Sequence, residues 1–247
     1  MQKLISYPLS VIYYILHKTI LIVFQVIQWF CFNLFGHKAH TKSANAMFFF
    51  LVLNTYILGT RYKIENLHKL PTDVPLIIVA NHQSMYDFTT IAWFLRKLHP
   101  KFIGKIELRK GWAGISYFLT HDGGVLIERN NLQQSLPAIK EVAQYIEVNK
   151  RTVVICPEGT RSSTTSKPKP FKSKGLKILC EYAPSAYIVP ITINNSWKMT
   201  RWGAFPFGIG NKLIFTIHNP IPVKDMPFSE IFGKIEQTIV NNISHDD

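Results

Sequence analysis

His82 and Asp87, in the segment Asn81-His82-Gln83-Ser84-Met85-Tyr86-Asp87, are the residues of this chain whose types and spacing suit proton transfer. A carboxylate that accepts from one imidazole nitrogen sets the tautomer, leaves the other nitrogen as an acceptor and stabilises the imidazolium that forms. Further along comes Pro157-Glu158-Gly159-Thr160-Arg161-Ser162, where an arginine follows a glycine-containing turn. Its guanidinium offers a planar fork of donors to a phosphate or a carboxylate, and Glu158 is placed to brace the turn or the arginine. Together the two segments describe a site that activates a hydroxyl and holds an anion. Each alone has a plainer reading: an Asn-His turn with Asp87 capping a helix, and a turn carrying a surface ion pair.

The elements around these segments put both at the ends of strands. Pro75 to Ala80 is a short apolar run of the kind that forms a buried strand, and Asp87 opens a helix-like stretch to Lys97. Within a regular helix the two residues would lie on different faces. With the histidine on the turn and the aspartate in the first helical turn, the carboxylate can fold back onto the ring. Arg151 to Cys156 reads as a second buried strand, ended by Pro157, so Arg161 lies just past a strand end, where α/β proteins place ligands.

The alternation continues. Ala186 to Ile193 and Lys212 to Ile217 are strand-like, Phe228 to Asn242 has helical periodicity, and Leu132 to Val148 is a helix with Leu136, Ile139, Val142 and Ile146 on its core side. This is the pattern of an α/β sheet domain. Ser162 to Lys174 is rich in Ser, Thr, Pro and Lys and reads as a solvated loop; Lys167, Lys169, Lys172 and Lys174 keep it soluble or, alternatively, dock an anionic lipid surface or carrier.

At this point the chain resembles the PlsC-type glycerolipid acyltransferases, whose best-known members are 1-acyl-glycerol-3-phosphate acyltransferases. Four motifs match in order: His82 and Asp87 for the His-x4-Asp block, Lys105-Ile106-Glu107-Leu108 for the second, Glu158 to Arg161 for Glu-Gly-Thr-Arg, and Ile188-Val189-Pro190-Ile191 for the Val-Pro block. The resemblance covers the chain from about Arg61 onward. It departs at Cys156, where an aromatic often precedes Pro-Glu-Gly, at Trp112 and Ala113, where a proline commonly follows the second block, and at Glu128, in place of the Asp of an Ile-Asp-Arg strand end.

The resemblance implies a mixed sheet flanked by helices and an O-acyl transfer. His82, oriented by Asp87, would deprotonate the free hydroxyl of lysophosphatidic acid, which attacks the thioester of acyl-CoA or acyl-carrier protein to give phosphatidic acid. Arg161 and Lys105 would hold the phosphate with Arg129 as a further candidate, and Glu158, Gly159 and Thr160 would complete the substrate-binding turn. The acyl donor is a co-substrate, and no cofactor or metal is expected. Glycerol-3-phosphate or a lyso-ornithine lipid are other acceptors for the same chemistry, and a noncatalytic anionic-lipid-binding membrane protein is the reading from another class.

Composition narrows the partners. The chain has 247 residues and a formal net charge of +13, enough length for one substantial α/β domain and enough charge to imply an anionic partner. Nucleic acid is disfavoured, because no recognition motif appears and the N-terminus supplies a membrane address. No acidic residue precedes Glu65, and Leu4 to Phe35, interrupted by His17 and Lys18, and Ala44 to Leu58 are apolar. Thr19 to Phe35 is somewhat short against the roughly 20 residues of a spanning helix and Ala44 to Leu58 shorter still, so a hairpin in one leaflet fits at least as well as two full spans. They suit a membrane-associated helical hairpin over residues 1–59, turning at Gly36 to Ser43 and dipping into one leaflet, with the catalytic domain over residues 60–247 on the cytoplasmic face. All the motifs lie beyond Arg61, so that domain is expected to fold without the hairpin. Cys31, Cys156 and Cys180 have no metal-ligand spacing and suit a reducing compartment.

Overall fold

The computed structural model describes residues 1–162 and 168–244. The chain opens with one helical stretch, α1 (Gln2–Asn54), which breaks at Gly36, where φ is 74° and ψ −169°. Glycine reaches that conformation without a side-chain penalty. The two arms fold back on each other: Asn54 Nδ2 donates to the Tyr13 carbonyl at 3.0 Å, Phe24 meets Phe50 at 5.7 Å between ring centroids, and His40 Nε2 pairs with Gln28 Oε1 at 3.1 Å. The expected hairpin is therefore present, with a tighter turn than Gly36 to Ser43. Residues 37 to 43 are already helical, because His40 and Ser43 turn inward and are buried while Lys38 and Lys42 stay exposed.

Beyond a 3₁₀ turn at Thr55–Leu58 the chain runs β1 (Arg61–Glu65), β2 (Leu76–Ala80), α2 (Tyr86–Phe94), β3 (Pro100–Lys105), the short α3 (Ile115–Phe118), β4 (Gly124–Ile127) and α4 (Leu132–Asn149). There follow β5 (Thr152–Ile155), α5 (Ser173–Tyr182), β6 (Tyr187–Asn194), β7 (Lys212–Ile217), β8 (Ile221–Pro222) and α6 (Phe228–Asn241). The helix expected from Asp87 to Lys97 stops at Phe94 and passes into a 3₁₀ turn, Arg96–Leu98.

The strands form one mixed sheet in the order β1-β7-β6-β2-β5-β3-β4, with β8 on β6. From β6 to β4 every neighbour is parallel, whereas β7 and β8 both run antiparallel to β6. The central strands are buried on both faces, which is why they read as unbroken apolar runs. Their side chains alternate between two cores. Ile77, Val79, Val153, Ile155 and Ile188 face α4, α5 and α6, whereas Ile78, Ala80, Val154, Val189 and Ile191 face α2, α3 and the hairpin.

The hairpin belongs to that second core. Tyr13, His17, Leu21, Phe24 and Gln28 recur at helical spacing and are buried, as are Ala44, Met47, Phe48 and Leu51 on the other arm. Gln25 Oε1 accepts from Gly114 N at 2.7 Å and Gln28 Nε2 donates to the Gly114 carbonyl at 3.1 Å, so two hairpin amides clamp the loop before α3. The outer face of the hairpin exposes Ile5, Ile12, Ile22, Trp29, Phe30 and Phe35. On α4, Ile139, Val142 and Ile146 face the core as their spacing predicts, while Leu136 is half-buried.

Candidate active site

β2 and β5 are adjacent and parallel, with Val79 opposite Ile155, so the turns that follow them leave the same edge of the sheet side by side. Two segments far apart in sequence meet for this reason. His82 Nδ1 lies 2.8 Å from Asp87 Oδ2, and the same oxygen accepts the backbone N–H groups of Gln83 at 2.7 Å and Ser84 at 2.9 Å. Asp87 sits in the first turn of α2, whose N-cap is Met85, and it accepts from amides that precede the helix, so it is the partner of the ring and a brace of the turn rather than a helix cap. Its other oxygen accepts from the Ser196 hydroxyl. Asp87 is 1% exposed, and the turn and Ser196 hold its carboxylate as an acceptor. Nδ1 faces the carboxylate, which leaves Nε2 as the proton acceptor.

Ser196 follows β6, the strand on the other side of β2, and was not among the residues expected from the sequence. Its N–H donates to Gln83 Oε1 at 2.9 Å, and Asn81 exchanges two hydrogen bonds with Ile193, at 2.9 and 2.7 Å. The polar run Asn194-Asn195-Ser196 at the end of an apolar strand is the same signal that marks the other two segments.

Glu158 is a brace. Oε1 accepts the N–H of His82 at 2.6 Å and Oε2 accepts the N–H of Lys169 at 2.7 Å. Both oxygens of this buried carboxylate accept a backbone N–H, an arrangement that braces the His82 turn. Burial raises its carboxyl above the ordinary value, against those two amides and His82, which favour the charge. Ser162 N donates to the His82 carbonyl at 2.9 Å, a second tie between the turns. Gly159 supplies the reversal at φ 70°. The expected solvated loop is anchored at Lys169, through Glu158, and at Lys172, whose N–H donates to the Pro157 carbonyl at 2.9 Å; Lys167 lies outside the described residues.

The remaining predicted groups surround one cavity of about 310 Å³. His82, Asp87, Lys105, Arg129, Thr160 and Arg161 all line it, on an otherwise apolar wall that includes Phe88, Ile91, Phe102, Leu119 and Val154. Lys105 ends β3, and its exposed ammonium pairs with Glu107 at 3.0 Å. Arg129 follows β4 and is half-buried; burial lowers its guanidinium from the ordinary value, with Arg161 adding to the effect and Glu107 opposing it. Arg161 is exposed and, among the described residues, has no carboxylate at ion-pair distance. Cys156 also lines the cavity, and burial, together with the charges of Asp87 and Glu158, pushes its thiol well up, which disfavours the thiolate. Trp112 and Cys156, two of the places where the chain departs from the family pattern, are therefore wall residues.

Residues 61–194 match the family described as Acyltransferase. The 1-acyl-sn-glycerol-3-phosphate acyltransferase alpha of Ovis aries is 30% identical over 141 residues, 57% of this chain and 47% of that protein. The 1-acyl-sn-glycerol-3-phosphate acyltransferase of Helicobacter pylori is 29% identical over 191 residues, 74% of this chain and 73% of that one. The matched region spans about half the length of the mammalian relatives. Among solved structures, the 1-acyl-sn-glycerophosphate (LPA) acyltransferase PlsC of Thermotoga maritima shares the fold, with a TM-score of 0.80 over 98% of this chain and 95% of that one at 23% identity. The family match runs from the first residue of β1 to the last of β6, the stretch that carries the strand ends just described, and the chain belongs to the acyltransferase family.

Proposed function

We propose that the protein transfers a fatty acyl group from the thioester of acyl-CoA or acyl-carrier protein to the sn-2 hydroxyl of 1-acyl-glycerol-3-phosphate, giving phosphatidic acid. The observation that carries this is the His82–Asp87 pair, 2.8 Å apart, opening onto a cavity that also holds Arg161, Arg129 and Lys105. His82 Nε2 takes the hydroxyl proton as the oxygen attacks the thioester carbon. The tetrahedral oxyanion collapses with cleavage of the C–S bond, and the imidazolium returns the proton to the leaving thiolate. No acyl-enzyme is formed, and no cofactor is required.

Arg161 anchors the acceptor phosphate, with Lys105 and Arg129 as further charges and Thr160 and Gly159 shaping the turn. Holding the phosphate places the hydroxyl beside His82 and turns a reaction between two substrates into one of orientation. The apolar wall receives an acyl chain. The hairpin, whose outer face is apolar and whose length and composition would allow it to cross a membrane, seats the domain on one leaflet with the basic cavity at the cytoplasmic surface.

The test is acyl transfer by the purified full chain in lipid vesicles, with lysophosphatidic acid, glycerol-3-phosphate and a lyso-ornithine lipid offered against acyl-CoA and acyl-carrier protein. Phosphatidic acid as the main product supports the reading. Preference for another acceptor moves the substrate, and lipid binding without transfer refutes the enzyme.

A further inference from the structure

A second cavity, of about 470 Å³, adjoins the first. The two share His17, Met85, Tyr86, Trp112 and Arg161. His82 lines only the first and Lys18 only the second. Two of these residues, His17 and Lys18, are the polar interruption in the first apolar arm of the hairpin. Their placement has no explanation in membrane attachment, which a continuous apolar face would serve better.

The side chain of His17 is held in place. It is buried, its Nδ1 hydrogen-bonds the Tyr13 hydroxyl at 3.1 Å, and the two rings lie 5.4 Å apart. That contact engages Nδ1 in either tautomer, which leaves Nε2 as the ring nitrogen free to meet a ligand. Tyr13 packs in turn against Phe207 and Tyr86, the latter at the start of α2. His17 therefore lies at the junction of the cavities, lining both together with Arg161. Burial and the adjacent Lys18 push its pKa down to about 4, which keeps the ring neutral. Lys18 Nζ lies 5.4 Å from the Trp112 ring and 5.5 Å from that of Tyr14, and among the described residues no carboxylate pairs with it.

We infer that the hairpin completes the substrate site: His17 Nε2–H and the Lys18 ammonium join Arg161, where the two cavities meet, in a subsite for the phosphate of the acyl acceptor. A phosphate placed there meets two cations and the imidazole, and His82 lines the cavity that adjoins it. The inference rests on the proposed acceptor. The donor thioester carries phosphates too, so its binding is the control that separates the two sources of the same chemistry.

The experiment measures the Kd of the full chain, in detergent micelles, for a short-chain lysophosphatidic acid, the matched monoacylglycerol and CoA. The variants are His17→Phe, His17→Gln and Lys18→Met, each checked for an unchanged melting temperature. Lys18 is half-buried and its methionine variant keeps the stem, so that variant tests the subsite even where His17→Phe fails to fold. His17→Phe and Lys18→Met are expected to raise the Kd for lysophosphatidic acid about tenfold, as loss of a charge-assisted contact does. His17→Gln, whose amide nitrogen reaches the place of Nε2, is expected to stay within about threefold. The monoacylglycerol and CoA values should not move. An unchanged Kd for lysophosphatidic acid, an equal rise for the monoacylglycerol, or a rise confined to CoA overturns the inference. Wild-type protein that binds lysophosphatidic acid through this subsite but transfers nothing to it sinks the proposed reaction instead.

Discussion

Glu158 and His82 are joined by a carboxylate oxygen that accepts a backbone N–H at 2.6 Å, and this bond ties the end of β5 to the end of β2. The geometry of the base thus depends on a residue that touches neither its ring nor the cavity.

Replacing Glu158 separates positioning from binding. Glu158→Gln keeps one acceptor oxygen and leaves either the His82 or the Lys169 amide unpaired in a buried place, a loss of about 1–3 kcal/mol. Turnover should fall while KM for both substrates changes little. Stability should also depend on pH differently. The folded carboxyl titrates above its usual 4.5, so its stabilising contribution is complete below that value and is lost as pH rises through the raised one. The advantage of wild type over Glu158→Gln in melting temperature should therefore shrink as pH climbs through that window, and a constant difference would show that the carboxyl is not raised.

His82→Ala should abolish turnover while sparing folding and lipid attachment, since general-base catalysis contributes about 10² to 10⁴-fold. Asp87→Asn should be nearly as severe, because its amide favours the wrong tautomer and supports imidazolium poorly. Single-turnover transfer by each purified variant is the measurement, and near-normal transfer by His82→Ala would sink the mechanism.

Arg161→Ala should weaken use of a phosphate-bearing acceptor by about 1.5–3 kcal/mol in kcat/KM and spare a matched acceptor without phosphate. Arg161→Lys should recover part of this, restoring charge without the planar fork. Lys105→Ala should cost less, because Lys105 is exposed and already shares its charge with Glu107. Equal losses on both acceptors for Arg161→Ala would move the phosphate site toward Arg129.

Deleting residues 1–58 should do more than release the protein from vesicles. Tyr13, Leu21, Met47, Phe48, Leu51 and Leu58 are each at most 2% exposed and share one core with β2, β6 and α2. At about 1.5–3 kcal/mol for each buried side chain, their loss rivals a typical domain stability of about 5–15 kcal/mol. The truncated chain should aggregate or melt at a much lower temperature, contrary to what the position of the motifs suggests. A truncated chain that melts like the whole one would show that the hairpin is separable.

The features legible along the chain are local ones. Apolar runs ended by Pro, Gly or a polar cluster locate β2, β5 and β6 to within a residue or two, and the five-residue step from His82 to Asp87 suffices to place ring and carboxylate in contact across one turn. These signals survive in one dimension because strand burial, turn chemistry and helix opening are settled by neighbours in the chain. Tertiary structure decided what meets. Only the parallel pairing of β2 with β5 and with β6 brings Glu158 under the His82 amide and Ser196 onto Asp87. Glu158 reads equally as ligand or brace until its two amide partners are visible. The hairpin is the clearest case: an apolar stretch announces a membrane segment, but only its packing on α2 and α3 buries one face at helical spacing and turns His17 and Lys18 toward the cavities, because long-range burial leaves no mark on the residues that precede it.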